Sequence, residues 1–357
     1  MIKILSRSIM GICSLLSLPL WADGGQIAGK AKPDSHAPIA VMGEHLHKQG
    51  EWMVSYRYMT MKMEDNLQGD KSISAQEIVT SLANPFAPPP TARVVPVEMT
   101  TKMHMLGLMY APSDKFTLMA MINYLEKEMD HLTFMGMTGA NVLGEFTTNT
   151  SGMGDTKLSV LWGLLDTSGE KAGHKVHLNL GISLPTGSID EEDQVLTPMG
   201  ARPTLRVPYA MQLGSGTYDL EPGITYAGSL DQLGWGAQYK ATIRLSENDE
   251  DYTLGDISML TGWGSYRFAN WISASLRLTL HDVDRIDGSD PLIMAPVQTA
   301  NPENYGGERI DFGVGINTVT HAGHRFAVEY ETPIEQDVNG VQMEMKSMLT
   351  LGYQYAF

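Results

Sequence analysis

Methionine side chains crowd the N-terminal part of the sequence and offer its clearest ligand chemistry. Many stand at alternate positions within short apolar runs, which would place them on one side of a strand. Thioethers are soft ligands that select Cu(I) or Ag(I) over harder ions, and two imidazoles with the spacing His-x-His lie just upstream. A candidate soft-metal set is therefore His45, His47, Met59, Met61, Met103, Met105, Met119 and Met121.

A second interpretation of the same residues needs no metal. Methionine is a flexible, polarisable side chain, so a packed wall or an adaptable apolar groove would also use it. Histidines in a polar segment are often solvated, and the pattern requires no cofactor. The sequence alone therefore leaves two interpretations of these methionines open, a series of soft-metal ligands and apolar packing.

The elements that would position these side chains are strands with a period of two. The chain ends on such a run, with Leu349, Leu351, Tyr353, Tyr355 and Phe357 on one side. Twelve runs are predicted as strands: Glu51–Met61, Met99–Tyr110, Phe116–Leu125, Thr156–Leu164, Lys175–Leu184, Thr217–Tyr226, Trp235–Arg244, Ile257–Phe268, Trp271–Leu280, Arg309–Val319, His324–Tyr330 and Ser347–Phe357.

The connections between these runs alternate between tight turns and long polar loops. This sorting is typical of bacterial outer-membrane barrels, which have short periplasmic turns, long extracellular loops and an even strand number. Residues 51–357 are therefore predicted to be all-β, a transmembrane antiparallel up-and-down β-barrel of about 12 strands. The mean hydropathy of −0.14 agrees, because only alternate residues of each strand meet lipid.

The N-terminus carries an export signal. Lys3 and Arg7 precede an apolar stretch, Ile9–Leu20, that is too short to span a membrane as a helix and ends near Ala22. The predicted organisation is a signal peptide at residues 1–22, a periplasmic N-terminal segment at 23–50 and the barrel after it. The one cysteine, Cys13, lies in the signal, so the mature chain has no thiol or disulfide.

The polar side of the runs carries charges of both signs, which would line the lumen. They would act as a filter for ions or as an internal salt-bridge network that closes the barrel. The candidate lumen-lining residues are Arg57, Lys157, Lys175, Asp219, Glu221, Lys240, Arg244, Arg277, Asp311, Arg325 and Glu329.

Charge also limits the partners. A net charge of −16 argues against nucleic acid, whose phosphates would be repelled. Acidic loop runs at Asp190–Asp193 and Glu247–Asp251 would be solvated, or bridged to lipopolysaccharide by divalent cations. A C-terminal aromatic such as Phe357 resembles the signal that the barrel-assembly machinery reads, so outer-membrane lipid and that machinery are expected partners.

Three motifs in the second half resemble one family. They are Gly152-Met153-Gly154-Asp155-Thr156, the strand that ends in Leu184-Pro185-Thr186-Gly187, and Gly214-Ser215-Gly216-Thr217-Tyr218-Asp219. In this order they resemble the outer-membrane transporter-like proteins named after the phenol meta-cleavage degradation pathway. The resemblance implies a channel or transporter-like barrel, without naming its solute.

The functional prediction is an outer-membrane channel for passive passage of a small-molecule or ion solute, such as soft metal ions or small aromatic compounds. The alternative is a non-conducting structural or interaction barrel. An outer-membrane enzyme is a weaker alternative, because the sequence has no Gly-x-Ser-x-Gly motif and no serine placed beside His104 or His324. The chain is therefore predicted not to be an enzyme.

Overall fold

The computed structural model describes residues 33–34, 36–167, 169 and 172–357. The predicted signal peptide, residues 1–22, and the first part of the predicted N-terminal segment lie outside the described residues. No helix within the described part is long and apolar enough to cross a membrane.

The described chain is almost entirely antiparallel β-sheet. One short helix, α1 (Ala75–Ser81), and three 3₁₀ turns, Tyr209–Met211, Gln298–Ala300 and Pro302–Asn304, lie in the connections. The strands are β1 (Trp52–Gly69), β2 (Lys71–Ser72), β3 (Val94–Ser113), β4 (Phe116–Phe134), β5 (Val142–Met153), β6 (Thr156–Asp166), β7 (Ala172–Leu184), β8 (Glu192–Gln194), β9 (Thr204–Arg206), β10 (Asp219–Leu230), β11 (Leu233–Arg244), β12 (Tyr252–Thr253), β13 (Ile257–Ala269), β14 (Ile272–Val283), β15 (Asp287–Gly288), β16 (Gly307–Val319) and β17 (Arg325–Ala356).

Eleven of these strands form a closed ring. Within the ring, each strand pairs with the next in the order β1, β3, β4, β6, β7, β10, β11, β13, β14, β16, β17, and β17 pairs with β1. The strand β5 pairs with β4 and lies off this path. The first residue of β1 and the last residue of the sequence are joined by two hydrogen bonds, Trp52 N to Phe357 O at 2.9 Å and Phe357 N to Trp52 O at 2.8 Å. The closed ring leaves no unpaired strand edge, which is a requirement for a strand structure in lipid.

The last strand crosses the barrel twice. Residues 325–338 of β17 pair with β16, and residues 338–356 pair with β1. The chain reverses at Asn339-Gly340, where Gly340 takes a left-handed φ of 63° that favours glycine. The barrel therefore has twelve passes, which confirms the predicted fold class and strand number.

Two of the long loops predicted between the strands, Glu126–Gly154 and Thr332–Glu344, are wrong, because the strands continue through them. Residues 332–344 lie within β17, and most of 126–154 belongs to β4 and β5. The outward positions of β4 change from apolar at Ile122 and Tyr124 to acidic at Glu126 and Glu128. A strand that leaves the lipid exchanges apolar outward residues for charged ones, so the pattern resembles a loop although the pairing continues.

The outer surface carries the apolar residues. Side chains such as Leu106, Leu118, Leu180, Leu276 and Val314 are 45–55% exposed although large and apolar. A continuous exposed apolar band is unfavourable in water and suits a hydrocarbon environment. Aromatic residues gather at the end with the short turns, as in the interfacial belts of membrane barrels: Trp52, Tyr110, Phe116, Trp162, Phe268, Trp271, Tyr355 and Phe357.

The long connections fold over the opposite end, and we call this layer the loop cap. Its centre is a buried apolar cluster that includes Phe146, Leu196, Tyr209, Tyr252 and Val297. Arg93, fully buried, donates to the carbonyl oxygens of Met135, Gly136 and Gly139 at 2.7–3.0 Å and ties two loops together. The cap is thus an ordered, packed cover and not a set of separate loops.

Candidate functional site

Residues 33–34 and 36–50 lie inside the barrel, at the end with the short turns; we call them the plug. The plug has no regular secondary structure, so its peptide groups need other partners. Side chains from six strands of the inner wall supply these partners. Five of them donate to carbonyl oxygens of the plug: Ser273 to Pro33 O (2.9 Å), Arg325 to Ala37 O (2.7 Å), Arg57 to Ile39 O (3.0 Å), Gln238 to Met42 O (3.1 Å) and Asn179 to Gly43 O (3.1 Å). Two accept from N–H groups of the plug: Glu329 from Ala40 N (2.9 Å) and Thr117 from His47 N (3.0 Å).

Apolar contacts fix the plug at two further places. Ala37 and Val41 pack on Trp263, which points inward from β13 and is 8% exposed. Leu46 packs against the buried cluster of Met53, Met109 and Leu161. The described part of the predicted N-terminal segment, residues 23–50, therefore lies against the inner wall of the barrel.

The predicted methionine wall lies on the inner side of the barrel. Met59 and Met61 on β1, Met103 and Met105 on β3, and Met119 and Met121 on β4 alternate with outward residues such as Tyr58, Leu106 and Leu118. Strand register aligns them across strands, with Met59 opposite Met103 and Met109 opposite both Met53 and Met119.

The second half of β17 extends this wall, which sequence reasoning missed. Met63 pairs with Met345 on one side and with Met99 on the other, and Met99 pairs with Met129, so four thioethers form one row across four passes. Met61 likewise lies opposite Met348. The spacing Met343-x-Met345 was the available signal, but it stood in a region predicted as a loop.

A cavity of about 310 Å³ lies between this row and the loop cap. Its apolar side is made of Met63, Met99, Met129, Met343 and Met345, and its polar side includes His281, Arg309, Gln336 and Gln342. A mostly apolar cavity with a few polar groups is the usual form of a small-molecule site, and this volume is at the small end of the range.

Most of the predicted lumen charges form ion pairs with one another. Arg277 contacts Glu329 Oε1 at 2.6 Å and Glu331 Oε2 at 2.7 Å, and Arg309 contacts Asp311 at 2.9 Å. Lys157 pairs with Glu221, Arg244 with Asp219, and Lys240 lies 3.9 Å from Glu221. Arg57 and Arg325 bind the plug, whereas Lys175 is exposed at the short-turn end. The arrangement of the inner charges thus resembles an internal salt-bridge network more than a filter of unpaired charges for ions.

Four titratable side chains meet within the plug. Glu44 Oε1 accepts from His36 Nδ1 at 3.0 Å and from His45 Nδ1 at 2.7 Å, and His45 Nε2 lies 3.2 Å from His47 Nε2. Burial lowers the pKa of His36 and His45, and it lowers the pKa of His47 to about 4. Burial acts to raise the pKa of Glu44, but His45 and His36 outweigh it and hold that pKa well below its ordinary value. The sequence-predicted pair His45 and His47 is therefore brought together, with neutral imidazoles.

A second group of possible ligands is His281, Asp311 and Glu331, whose ligand atoms lie within 4.8 Å of one another. Arg309 and Arg277 already bind its two carboxylates. This group is best described as part of the ion-pair network, since its charges are satisfied by arginine.

The three motifs that resemble one family meet at a single point. Asp155 Oδ1 accepts from Gly187 N at 3.0 Å, and Asp155 Oδ2 accepts from Ser215 N and Ser215 Oγ, both at 2.8 Å. Gly187 and Gly214 approach so closely that a Cβ on either would collide with the backbone of the other. The motifs therefore build one tight junction between two strand ends and a long loop.

No protein-family model matches the chain, and no curated protein matches its sequence. Among solved structures, an outer membrane channel from Pseudomonas putida F1 aligns with 15% identity and a TM-score of 0.59, covering 89% of this chain and 100% of that one. The β domain of the Bordetella autotransporter Brka aligns with 10% identity and a TM-score of 0.44, over 87% and 100% of the chains. The toluene transporter TodX of P. putida has 9% identity, a TM-score of 0.39 and coverage of 87% and 90%. The first comparison shows that this chain has the fold of an outer-membrane β-barrel.

Proposed function

We propose that this protein is an outer-membrane channel for passive passage of small solutes, seen here in a closed state. The observation that carries the proposal is a lumen occupied at the short-turn end by the plug, with a ligand-sized cavity between the methionine wall and the loop cap. The plug is held by hydrogen bonds, apolar contacts and two ion pairs, Asp34 with Arg267 (3.5 Å) and Glu44 with Arg325 (3.9 Å), all of them non-covalent, so it can leave without breaking the barrel. Diffusion would then be governed by lumen diameter and charge.

The chemistry of the cavity suggests which solutes pass. Five methionines and Tyr305 offer an adaptable, polarisable surface, which suits small aromatic or apolar compounds with one polar group. The same thioethers would also hold soft metal ions for a short time. The junction at Asp155 supports a relationship to the family named after the phenol meta-cleavage pathway, which we include in the proposal.

The direct test of the channel proposal is ion current through the purified chain in a planar bilayer. The full chain should be nearly silent, whereas deletion of residues 33–49 should give steady current, because the segment that fills the lumen is gone. A synthetic peptide of residues 33–50 should reduce the current when it is added to one side of the bilayer only.

The deletion variant must first run as a folded, heat-modifiable barrel. If such a barrel stays as silent as the full chain, the channel proposal is wrong and a structural or interaction barrel becomes the better description. A hydrolytic activity retained by the silent barrel would favour the enzyme alternative.

We also propose that the chain is inserted into the outer membrane by the barrel-assembly machinery through its C-terminal aromatic residue. Phe357 is 62% exposed and its backbone closes the ring against Trp52. With the short-turn end, where Phe357 lies, toward the periplasm, the acidic loops at the opposite end, including Asp190 and Glu250, would face lipopolysaccharide and its divalent cations.

Replacing Phe357 by aspartate should sharply reduce the amount of heat-modifiable barrel in the outer-membrane fraction, because both the recognition signal and the lipid contact are lost. Phe268→Asp is the matched control, since Phe268 is an equally exposed aromatic (65%) at the same barrel end but is not terminal. Equal losses for the two variants would show that only the lipid contact matters and would remove the assembly signal from the proposal.

A further inference from the structure

We propose that His45 and His47, together with thioethers of the adjacent wall, form a binding site for one soft monovalent ion, Cu(I) or Ag(I). The site would join the plug to β4 and so hold the lumen closed. That regulatory role rests on the proposed channel function, whereas the binding itself does not.

The first observation is the way the two imidazoles face each other. His45 Nε2 and His47 Nε2 are 3.2 Å apart. His45 Nδ1 lies 2.7 Å from Glu44 Oε1, and His47 Nδ1 lies 3.4 Å from Glu51 Oε2. Carboxylates only accept hydrogen bonds, so Nδ1 of His45 carries the proton and its Nε2 presents a lone pair toward His47. Without an ion, His47 Nε2–H donates to that lone pair. With the His47 proton on Nδ1 instead, 3.4 Å from Glu51, both Nε2 atoms present lone pairs to one cation.

The separation of the two nitrogens suits a shared metal ion. With metal–nitrogen bonds of about 2.0–2.1 Å, two nitrogens 3.2 Å apart subtend an angle of roughly 100° at the metal. Metal-binding histidines also commonly donate their second nitrogen to a carboxylate, which fixes the ring and raises its basicity. Glu44 and Glu51 occupy that position here, so the ligands are already oriented.

The second observation is a small cavity beside His45. It measures about 10 Å³, roughly the room that one water-sized particle needs. Besides His45 and Glu44, its lining contains Arg57, whose Nε donates to Ile39 O, and five thioethers, those of Met42, Met53, Met109, Met119 and Met121. A cavity of this size lined by one imidazole, one carboxylate and several thioethers favours a single soft ion over a harder one.

The strand β4 links its thioethers to the histidine segment. Thr117 Oγ1 accepts from His47 N at 3.0 Å, and Met119 follows two residues later on the same inner face. Met119 and Leu46, which lies between the two histidines in sequence, pack against the same buried cluster of Met53, Met109 and Leu161. Met121 lies next on that face and lines the same cavity. The ligand set would thus come from both the plug and the wall.

Of the residues that the sequence singled out for metal binding, only some fit this site. His45, Met119 and Met121 line the cavity together with Met53 and Met109, and His47 contacts His45 without lining it. Met59, Met61, Met103 and Met105 do not line the cavity, although they lie on the same inner wall. The site is therefore compact, and the remaining methionines extend away from it toward the loop cap.

The test uses the purified full chain in detergent, loaded with Ag(I), desalted and measured for bound metal by mass spectrometry. We expect one tightly held Ag(I) per chain. Replacing both histidines, His45→Gln with His47→Gln, should weaken Ag(I) binding by about tenfold or more. Met119→Leu with Met121→Leu, which conserves volume, should weaken Ag(I) binding similarly while Zn(II) binding changes little.

The matched control is Met135→Leu with Met199→Leu, which removes two exposed loop methionines (52% and 78%). This control should retain Ag(I) like the wild type, and each variant should keep its heat-modifiable mobility. If the wild type holds no Ag(I) after desalting, or if the histidine variant holds as much as the wild type, the inference is wrong. If the full chain retains Ag(I) but a folded plug-deleted barrel never conducts, the site stands and the channel proposal is wrong. If the plug-deleted barrel retains as much Ag(I) as the full chain, the plug histidines do not bind the ion and this inference is wrong.

Discussion

Replacing Arg277 by methionine should destabilise the folded barrel by about 3–5 kcal/mol, the usual cost of removing one partner from a buried ion pair. Arg277 is the only cation within 2.7 Å of Glu329 and Glu331 among the described ion pairs, and all three side chains are at most 5% exposed. Without the guanidinium, two buried carboxylates face each other uncompensated. Glu329 also holds Ala40 N of the plug, so the loss should loosen the plug too.

The measurement is urea unfolding in lipid vesicles, followed by tryptophan fluorescence and by the heat-modifiable shift on a gel. The triple variant Arg277→Met, Glu329→Gln, Glu331→Gln should regain most of the lost stability, because it removes the stranded charges. Arg285→Met is a control at an exposed pair with Glu303 and should cost about 1 kcal/mol or less. Arg277→Met with a cost as small as that control would show that the inner ion pairs do not support the barrel.

Much of the barrel was predictable because its information is local. A period of two assigns Met59, Met103 and Met119 to the inner side and Tyr58, Leu106 and Leu118 to the outer side, and the structure has them so. The same rule failed where the outward residues become charged. Lys346 pairs with Glu344 and with Asp65 outside the apolar band, and the part of this strand up to Glu344, which includes Met343, was predicted as a loop.

The position of the plug inside the barrel could not be predicted from local patterns, because its partners are distant in sequence and its backbone is irregular. Pro38, Gly43 and Gly50 give it turns but no period, with left-handed φ values of 63° and 86° at the two glycines. Its position depends on pairs such as Ala40 with Glu329 and Val41 with Trp263, which no local pattern reports. The histidines were visible as candidate ligands, but their burial and mutual contact follow only from the packing of the plug.

The plug can be linked to the wall through an engineered disulfide, which makes its position inside the lumen directly measurable. A Cβ built on Gly163, on the inner face of β6, lies 2.8 Å from Leu46 Cδ1, so the two positions face each other and we expect cysteines there to form a disulfide. The sequence has one cysteine, Cys13, in the predicted signal, so the mature variant would contain no competing thiol. Leu46→Cys with Gly264→Cys is the matched control, because a Cβ on Gly264 meets no atom within 4 Å.

The most direct test of the plugged lumen is therefore peptide mass spectrometry of the oxidised Leu46→Cys, Gly163→Cys variant, with maleimide labelling of any free thiol. The plugged lumen predicts that nearly all chains carry the 46–163 disulfide and resist labelling until reduced, while the Gly264 control stays unlinked. Free, readily labelled thiols at both positions in a folded barrel would place residues 33–50 outside the lumen and contradict the account.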